Sequence, residues 1–131
     1  MTHLRVSEAA DLLGVSDDTV RRAIDAGRLS ATKDDAGRLV VPGRQVAAMA
    51  QDLSHAPEVG TLGRTSPRNQ MRGIVTRIVT DTVMAQVDIQ AGPFRIVSLL
   101  SRESVEEMGL EVGSVAVASI KATHVTVGVP G

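Results

Sequence analysis

The spacing of hydrophobic positions changes near the middle of the chain. In the first half, apolar residues recur at the three- and four-residue spacing of an amphipathic helix. The second half instead contains β-branched runs and alternating apolar and polar residues, which are typical of strands. Two helices are therefore predicted within LRVSEAADLLGVSDDTVRRAIDAGRL, separated at Gly14, with an apolar face of Ala9, Leu12, Leu13, Val20, Ala23 and Ile24.

Capping and turn residues mark the ends of these helices. Ser7 is placed to cap the N-terminus of the first helix and Ser16 that of the second, and Gly27 suits the position after the second helix. Two short extended runs follow around the sequence DDAG, which favours a tight hairpin. Pro42 suits the first turn of a third helix, whose apolar face would contain Val46, Ala47, Met49, Ala50 and Leu53.

The periodicity disappears between residues 53 and 67, where proline and glycine interrupt a polar stretch that we interpret as a linker. The sequence beyond it predicts five strands and one short helix. The strands are GIVTRIVT, VMAQVDIQ, FRIVSLL, VAVASIKA and THVTVGV, and the helix is SRESVEEMGL. These elements predict a five-stranded, OB-like Greek-key barrel. The fold class is thus α+β, with domains at 1–53 and 66–131 and a linker at 54–65.

Composition narrows the possible functions. The chain of 131 residues has one aromatic residue, Phe94, and no cysteine, which disfavours aromatic stacking platforms and excludes thiolate metal sites and disulfides. No apolar run is long enough to span a membrane, so a cytoplasmic location is expected. No catalytic triad order, phosphate loop or spacing of metal-cation ligands is present. We expect a binding protein that has no enzymatic activity.

The order of elements in the first half, two helices around a glycine turn, then a hairpin and another helix, predicts a winged helix-turn-helix. Residues 4–53 resemble the MerR/excisionase type of DNA-binding domain. The resemblance implies that the second helix enters the major groove of double-stranded DNA and that the hairpin, or wing, contacts phosphates. It places at the DNA surface Asp17, Asp18, Thr19, Arg21, Arg22, Lys33 and Arg38.

Charge does not single this half out as a DNA-binding module. Residues 1–56 contain seven lysine and arginine residues and eight aspartate and glutamate residues, and the whole chain has a net charge of -1. Because phosphate contacts dominate DNA affinity, binding would require the basic residues to share one face, or several copies to act together. A module that binds only proteins is the alternative.

Three segments of the second half carry side chains suited to a small tetrahedral oxyanion. Arg68 and Lys121 supply positive charge, hydroxyl groups come from serine and threonine, and turn and helix-start backbones supply N–H donors. The start of the short helix could lie at either serine of SRES. The hydroxyl groups belong to Ser66, Ser101, Ser104 and Thr123.

The same three segments, SPRNQMRGIV, SLLSRESVEEMGLEVGS and VASIKATHVTVG, resemble the molybdopterin-binding (Mop) domain of the TOBE group, the molbindin type, over residues 66–129. The resemblance implies that molybdate or tungstate binds between subunits. It implies contacts from Ser66, Arg68, Ser101, Ser104, Lys121 and the backbone of Ala122. Asn69 matches the motif and is either a ligand or a turn residue, and Pro67 departs from the small residue usual there.

Together the two resemblances predict a transcription regulator that binds DNA and responds to molybdate or tungstate, assembled as a homodimer or homohexamer. Two alternatives remain open from the sequence. One is an oxyanion storage or buffering protein with a vestigial DNA-binding domain. The other is an excisionase-like architectural DNA-binding protein whose β domain only oligomerises.

Overall fold

The structure is a computed structural model that describes residues 2–53 and 69–131. The chain divides into two compact units, Met1–His55 and Ala56–Gly131. The predicted linker at 54–65 lies outside the described residues, as do Ser66 and Arg68.

The first unit is a helical module with a small sheet. Its elements are β1 (His3–Arg5), α1 (Val6–Leu13), α2 (Asp17–Asp25), β2 (Thr32–Lys33), β3 (Leu39–Pro42) and α3 (Gly43–Leu53). The antiparallel sheet has the order β1-β3-β2, in which β2 and β3 form the predicted hairpin. Strand β1 was not predicted, because three residues are too few to show an alternating pattern.

Small apolar side chains form the core of this unit. The helices α1 and α2 and strand β3 bury Ala9, Ala10, Val20, Ala23 and Val41 almost completely. Alanine at these positions lets the two helices approach closely, and burial of such side chains supplies the main stabilising free energy of a small domain. The main chain of α2 ends as predicted, with Gly27 in the left-handed conformation at φ 79°.

The structure corrects four sequence predictions in this unit. Ser7 does not cap α1, since the helix begins at Val6 and the backbone N–H of Arg5 donates to Glu8 Oε1 at 3.2 Å. Leu12 is 69% exposed rather than part of the apolar face. Pro42 ends β3 instead of starting α3. In α3 the buried face is narrower than predicted, because only Val46 is buried.

The second unit is one curled antiparallel sheet with a short helix. Its elements are β4 (Asn69–Thr80), β5 (Met84–Ala91), β6 (Phe94–Ser101), α4 (Arg102–Met108), β7 (Val115–Ile120) and a 3-10 turn (Ala122–His124). The strand order is β6-β5-β4-β7. Strand β4 is long enough to pair with β7 along its first half and with β5 along its second half.

The core of the second unit lies on one face of β5, as the alternation predicted. Ala85, Val87 and Ile89 are buried there together with Val75 of β4 and Val105 of α4. Val83 was predicted to share this face, but it precedes β5 and is 67% exposed. The α+β class with a curled, OB-like β unit is confirmed.

The predicted fifth strand is wrong. Residues 125–131, here called the C-terminal tail, have no regular secondary structure and are exposed throughout. The preceding residues form the 3-10 turn instead, in which the backbone N–H of His124 donates to the Lys121 carbonyl at 2.9 Å. Four strands therefore form the sheet in the described part of the second unit.

Candidate functional site

Helix α2 carries most of the residues predicted to face DNA, and one of them, Thr19, takes part in the cap at the start of the helix. Ser16 caps the helix, since its Oγ accepts a hydrogen bond from the backbone N–H of Thr19 at 3.2 Å. The two hydroxyl groups also lie 3.0 Å apart. Thr19 is thus half-buried in the cap, which reduces what its side chain can offer to a ligand.

The exposed surface of α2 carries charges of both signs. Val20 and Ala23 point into the core, so helical geometry places Asp18, Arg22 and Asp25 on the opposite side, with Arg21 beside them. All four are exposed. The acidic Asp17 and Asp18 lie in the first turn, where they complement the helix dipole. The surface of this helix is therefore mixed rather than basic.

The wing is held by one carboxylate. Asp34 Oδ1 accepts hydrogen bonds from the backbone N–H groups of Ala36 at 2.9 Å and Arg38 at 2.8 Å. The backbone N–H of Asp34 in turn donates to the Arg38 carbonyl at 2.8 Å. These bonds fix the tip of the hairpin, and the side chains of Lys33 and Arg38 remain exposed beside it.

In the second unit, Ser101 and Ser104 form a hydroxyl pair at the start of α4. Ser101 is the N-cap: its Oγ accepts from the backbone N–H of Ser104 at 3.1 Å and donates to Ser104 Oγ at 2.8 Å. The helix is thus capped by the first of the two candidate serines, and the alternative start at Ser104 is wrong. In the nearby turn, Asp81 Oδ1 accepts hydrogen bonds from the backbone N–H groups of Met84 at 2.7 Å and Val83 at 2.8 Å. These bonds hold the pKa of Asp81 below its ordinary value.

Arg102 lies between these two serines in the sequence, at the first position of α4, and was missed by the sequence predictions. Its Nε donates to Glu106 Oε1 at 3.0 Å, and its Nη1 donates to the Asp81 carbonyl at 3.3 Å. The four-residue spacing to Glu106 was the signal available in the sequence. Because Glu106 already offsets its charge, Arg102 alone is a weak source of positive charge for an anion at the serine pair.

Asn69 and residues Lys121, Ala122 and Thr123 form a second group. Asn69 Nδ2 donates to the Ile120 carbonyl at 3.2 Å, so Asn69 ties the start of β4 to the end of β7. It lies in a strand and not in a turn. Lys121, Ala122 and Thr123 come directly after β7 and are exposed. A positive charge, a hydroxyl group and backbone groups are thus available beside Asn69.

The strand pairing places these two groups at opposite ends of β4. Asn69 pairs with Ile120 where β4 begins, whereas Ser101 pairs with Met84, next to the turn that follows Thr80 at the other end of β4. Eleven residue steps along a straight strand span about 36 Å, and the curl of the sheet shortens this distance. The structure thus separates within one chain the residues that the sequence grouped into one site.

Among the described residues, no cluster of histidine, cysteine, aspartate or glutamate could hold a metal ion. None of the helices in the two described ranges is long and apolar enough to cross a membrane.

In a comparison with known proteins, each half of the chain matches a known domain family. Residues 4–54 match a helix-turn-helix domain and residues 65–127 match a TOBE domain. A probable molybdenum-pterin-binding protein of Haemophilus influenzae is 45% identical over 67 residues, covering 50% of this chain and 97% of that protein. Molybdenum-pterin-binding protein 1 of Clostridium pasteurianum is 38% identical over 63 residues, covering 47% of this chain and 93% of that protein.

A solved structure of the cytoplasmic molybdate-binding protein ModG, with molybdate bound, is 39% identical. It superposes with a TM-score of 0.51 and covers 53% of this chain and 50% of that one. Fold and matches together define a helix-turn-helix module joined to a TOBE domain, as both resemblances had predicted. Through its second half, the chain belongs to the molybdenum-pterin-binding protein family.

Proposed function

We propose that this chain is a DNA-binding transcription regulator whose activity responds to molybdate or tungstate. The observation that carries the proposal is the union in one chain of a winged helix-turn-helix unit and a β unit of the molybdenum-pterin-binding family. The names of the relatives point to the ligand, and the helix-turn-helix points to DNA. Such a protein would act in the cytoplasm as a binding protein and not as an enzyme.

The proposed oxyanion site lies between subunits. Ser101 and Ser104 would donate from one chain, while Lys121, the backbone of Ala122 and Thr123 would donate from another, with Asn69 supporting the second group. The strand register supports this arrangement, because within one chain it places the two groups at opposite ends of β4. Ser66 and Arg68, which lie outside the described residues, complete the proposed set. At least a dimer is required, and a hexamer is compatible with the same site.

The proposed mechanism is linkage between anion binding and DNA binding. An anion held between two β units stabilises one assembly, and the assembly sets how many DNA-binding units act together and at what spacing. The DNA contacts would come from the exposed residues of α2, namely Asp17, Asp18, Arg21 and Arg22, and from Lys33 and Arg38 of the wing. Thr19 would mainly support the start of α2.

A storage or buffering role is the second candidate, and the mixed charge of α2 favours it. Asp18 and Asp25 lie among Arg21 and Arg22 on the exposed side of the helix, which weakens attraction to phosphates. In that case the anion would bind with no effect on DNA affinity.

A thermal-shift titration with molybdate, tungstate and sulfate tests the anion part of the proposal. Molybdate and tungstate should raise the melting temperature more than sulfate does, and Lys121→Ala and Arg68→Ala should reduce the shift. Glu107→Gln, which changes an exposed charge on α4, is the control. No shift in the wild type would refute anion binding, and the same shift in all variants would refute the proposed site. DNA binding measured with and without the anion then separates regulator from storage protein.

A further inference from the structure

The serine pair at the start of α4 offers few donors to an anion in the observed arrangement. The Ser101 O–H is used within the pair, because it donates to Ser104 Oγ at 2.8 Å. The backbone N–H of Ser104 is used as well, since it donates to Ser101 Oγ at 3.1 Å. The Ser104 O–H therefore remains to donate, and neither serine carries a positive charge. This half of the proposed site needs a further donor to hold a dianion.

Arg102, which lies between the two serines in the sequence, has donors to spare. Its Nε donates to Glu106 Oε1 at 3.0 Å and its Nη1 donates to the Asp81 carbonyl at 3.3 Å. A guanidinium group carries five N–H donors. The other three have no partner among the described residues. The planar fork of the guanidinium also suits oxyanions, which it can bind through two parallel hydrogen bonds.

Arg102 and Ser101 line the same pocket, which has a volume of about 360 Å³. The rest of its lining consists of Thr82 and Val83 in the turn before β5, and Glu103 and Glu106 of α4. Since water occupies about 30 Å³ per molecule in the liquid, the pocket has room for a small tetrahedral oxyanion and some hydration water. An anion held beside Ser101 in this pocket has Arg102 as a neighbour.

The charges that line this pocket oppose an anion as long as Arg102 stays paired. One positive charge, on Arg102, stands against two negative charges, on Glu103 and Glu106. The side chains of Arg102 and Glu106 are 48% and 65% exposed. Exposed ion pairs of this kind are weak, so a dianion can compete with the Glu106 carboxylate for the guanidinium.

We propose that Arg102 is a further contact of the oxyanion and that Glu106 competes with the anion for it, so that this pair sets the affinity of the site. On binding, the guanidinium leaves Glu106 and donates to anion oxygens beside the serine pair. The Asp81 carbonyl keeps Arg102 next to the pocket during this exchange. Glu106 is thus a positioning residue that lowers the affinity. The inference rests on the proposed function, because it concerns the same anion site.

Isothermal titration calorimetry with molybdate tests the competition in four full-length chains: the wild type, Glu106→Gln, Arg102→Ala and the double variant. Glu106→Gln keeps the shape of the side chain but releases the guanidinium, so the Kd for molybdate should fall by about three- to fivefold. In the double variant this gain should be lost, because no guanidinium remains to be released. The cycle therefore measures the coupling between the two residues.

Two further variants separate the release of Arg102 from the removal of charge. Glu103→Gln removes a negative charge from the same pocket but leaves the Arg102–Glu106 pair intact. Glu107→Gln removes an exposed charge of α4 that does not line the pocket. Both should change the Kd much less than Glu106→Gln does. Melting curves without molybdate should be alike for the three glutamine variants, which shows that all of them fold.

The proposal is overturned if Glu106→Gln binds molybdate no more tightly than Glu103→Gln. It is also overturned if the gain persists in the double variant, since the loss of charge alone would then explain it. Either result leaves the proposed function standing, because the wild type still binds molybdate. A wild type that gives no binding heat and no thermal shift with molybdate overturns the proposed anion site and this inference together.

Discussion

Gly73 of β4 lies directly against the main chain of Gln90 in β5. A Cβ atom on residue 73 would be 2.5 Å from the Gln90 carbonyl oxygen and 2.8 Å from Ile89 Cγ2. This is the position at which β4 passes from β7 to β5: Gly73 pairs with Ala116, and Ile74 pairs with both Val115 and Gln90. The absence of a side chain allows the close approach of the strands that the curl of the sheet requires.

Gly73→Ala should therefore destabilise the second unit by about 1–3 kcal/mol, because backbone atoms must move to admit the methyl group. Gly131→Ala, where an added Cβ meets nothing within 4 Å, is the control. Denaturant unfolding followed by a probe of the β unit measures the difference. Equal stability of the two variants would mean that the strands at residue 73 can separate at no cost.

Asp88 should make the β unit sensitive to acid. It is 4% exposed, and hydrogen bonds from Gln86 and from Arg95, whose Nη2 lies 2.8 Å from Asp88 Oδ2, hold its pKa below the ordinary value of 3.8. Because the pKa is lowered in the folded protein, the carboxylate stabilises the fold fully above that ordinary value. The contribution is lost as the pH falls below it.

Asp88→Asn should lower the melting temperature near neutral pH and flatten its decline in acid. Melting curves from about pH 6 to about pH 3 measure both effects. Asp81, whose pKa is lowered as well, keeps part of the decline in this variant. Glu107→Gln, at an exposed position on α4, should follow the wild type. A parallel decline for Asp88→Asn and the wild type would contradict the prediction.

Asp34 and Asp35 form a matched pair for testing the wing. Both substitutions to alanine remove one negative charge, but only Asp34 accepts the hydrogen bonds that hold the hairpin tip. If the wing contacts DNA, Asp34→Ala should bind DNA a few-fold more weakly than Asp35→Ala, since the wing must be ordered on binding. Fluorescence anisotropy at fixed salt compares them. A tighter complex for both variants would show that charge alone matters.

Mixing two defective chains tests whether the anion site is shared. If Ser101 comes from one chain and Lys121 from another, a mixed dimer of Ser101→Ala and Lys121→Ala chains contains one site with both native residues. Co-refolded mixtures should then recover up to about half of the wild-type molybdate binding per mixed dimer, above either variant alone. Isothermal titration calorimetry measures the stoichiometry. No recovery, while both single variants bind poorly, would place the two residues in one chain.

The sequence by itself determined the elements whose signals are local. The glycine after α2, the Ser16 cap, the hairpin at DDAG and the alternation of Ala85, Val87 and Ile89 depend on neighbouring residues alone, and the structure bears them out. The first helix shows the limit of this reasoning. Ser7 is a good capping residue, but pairing of β1 with β3 extends to Arg5, so the helix starts at Val6.

The features that depend on pairing between distant segments of the chain were decided only by the tertiary structure. The alternation along β5 places Asp88 on the face opposite Val87 and Ile89, where a polar residue is expected to be exposed. In the structure, Arg95 of the neighbouring strand covers it. The alternating valines of the C-terminal tail predict a strand, but the tail does not join the four-stranded sheet of the described residues, and its valines stay exposed. The two halves of the proposed anion site lie at opposite ends of β4, because strand register, which the sequence pattern does not specify across chains, sets their distance.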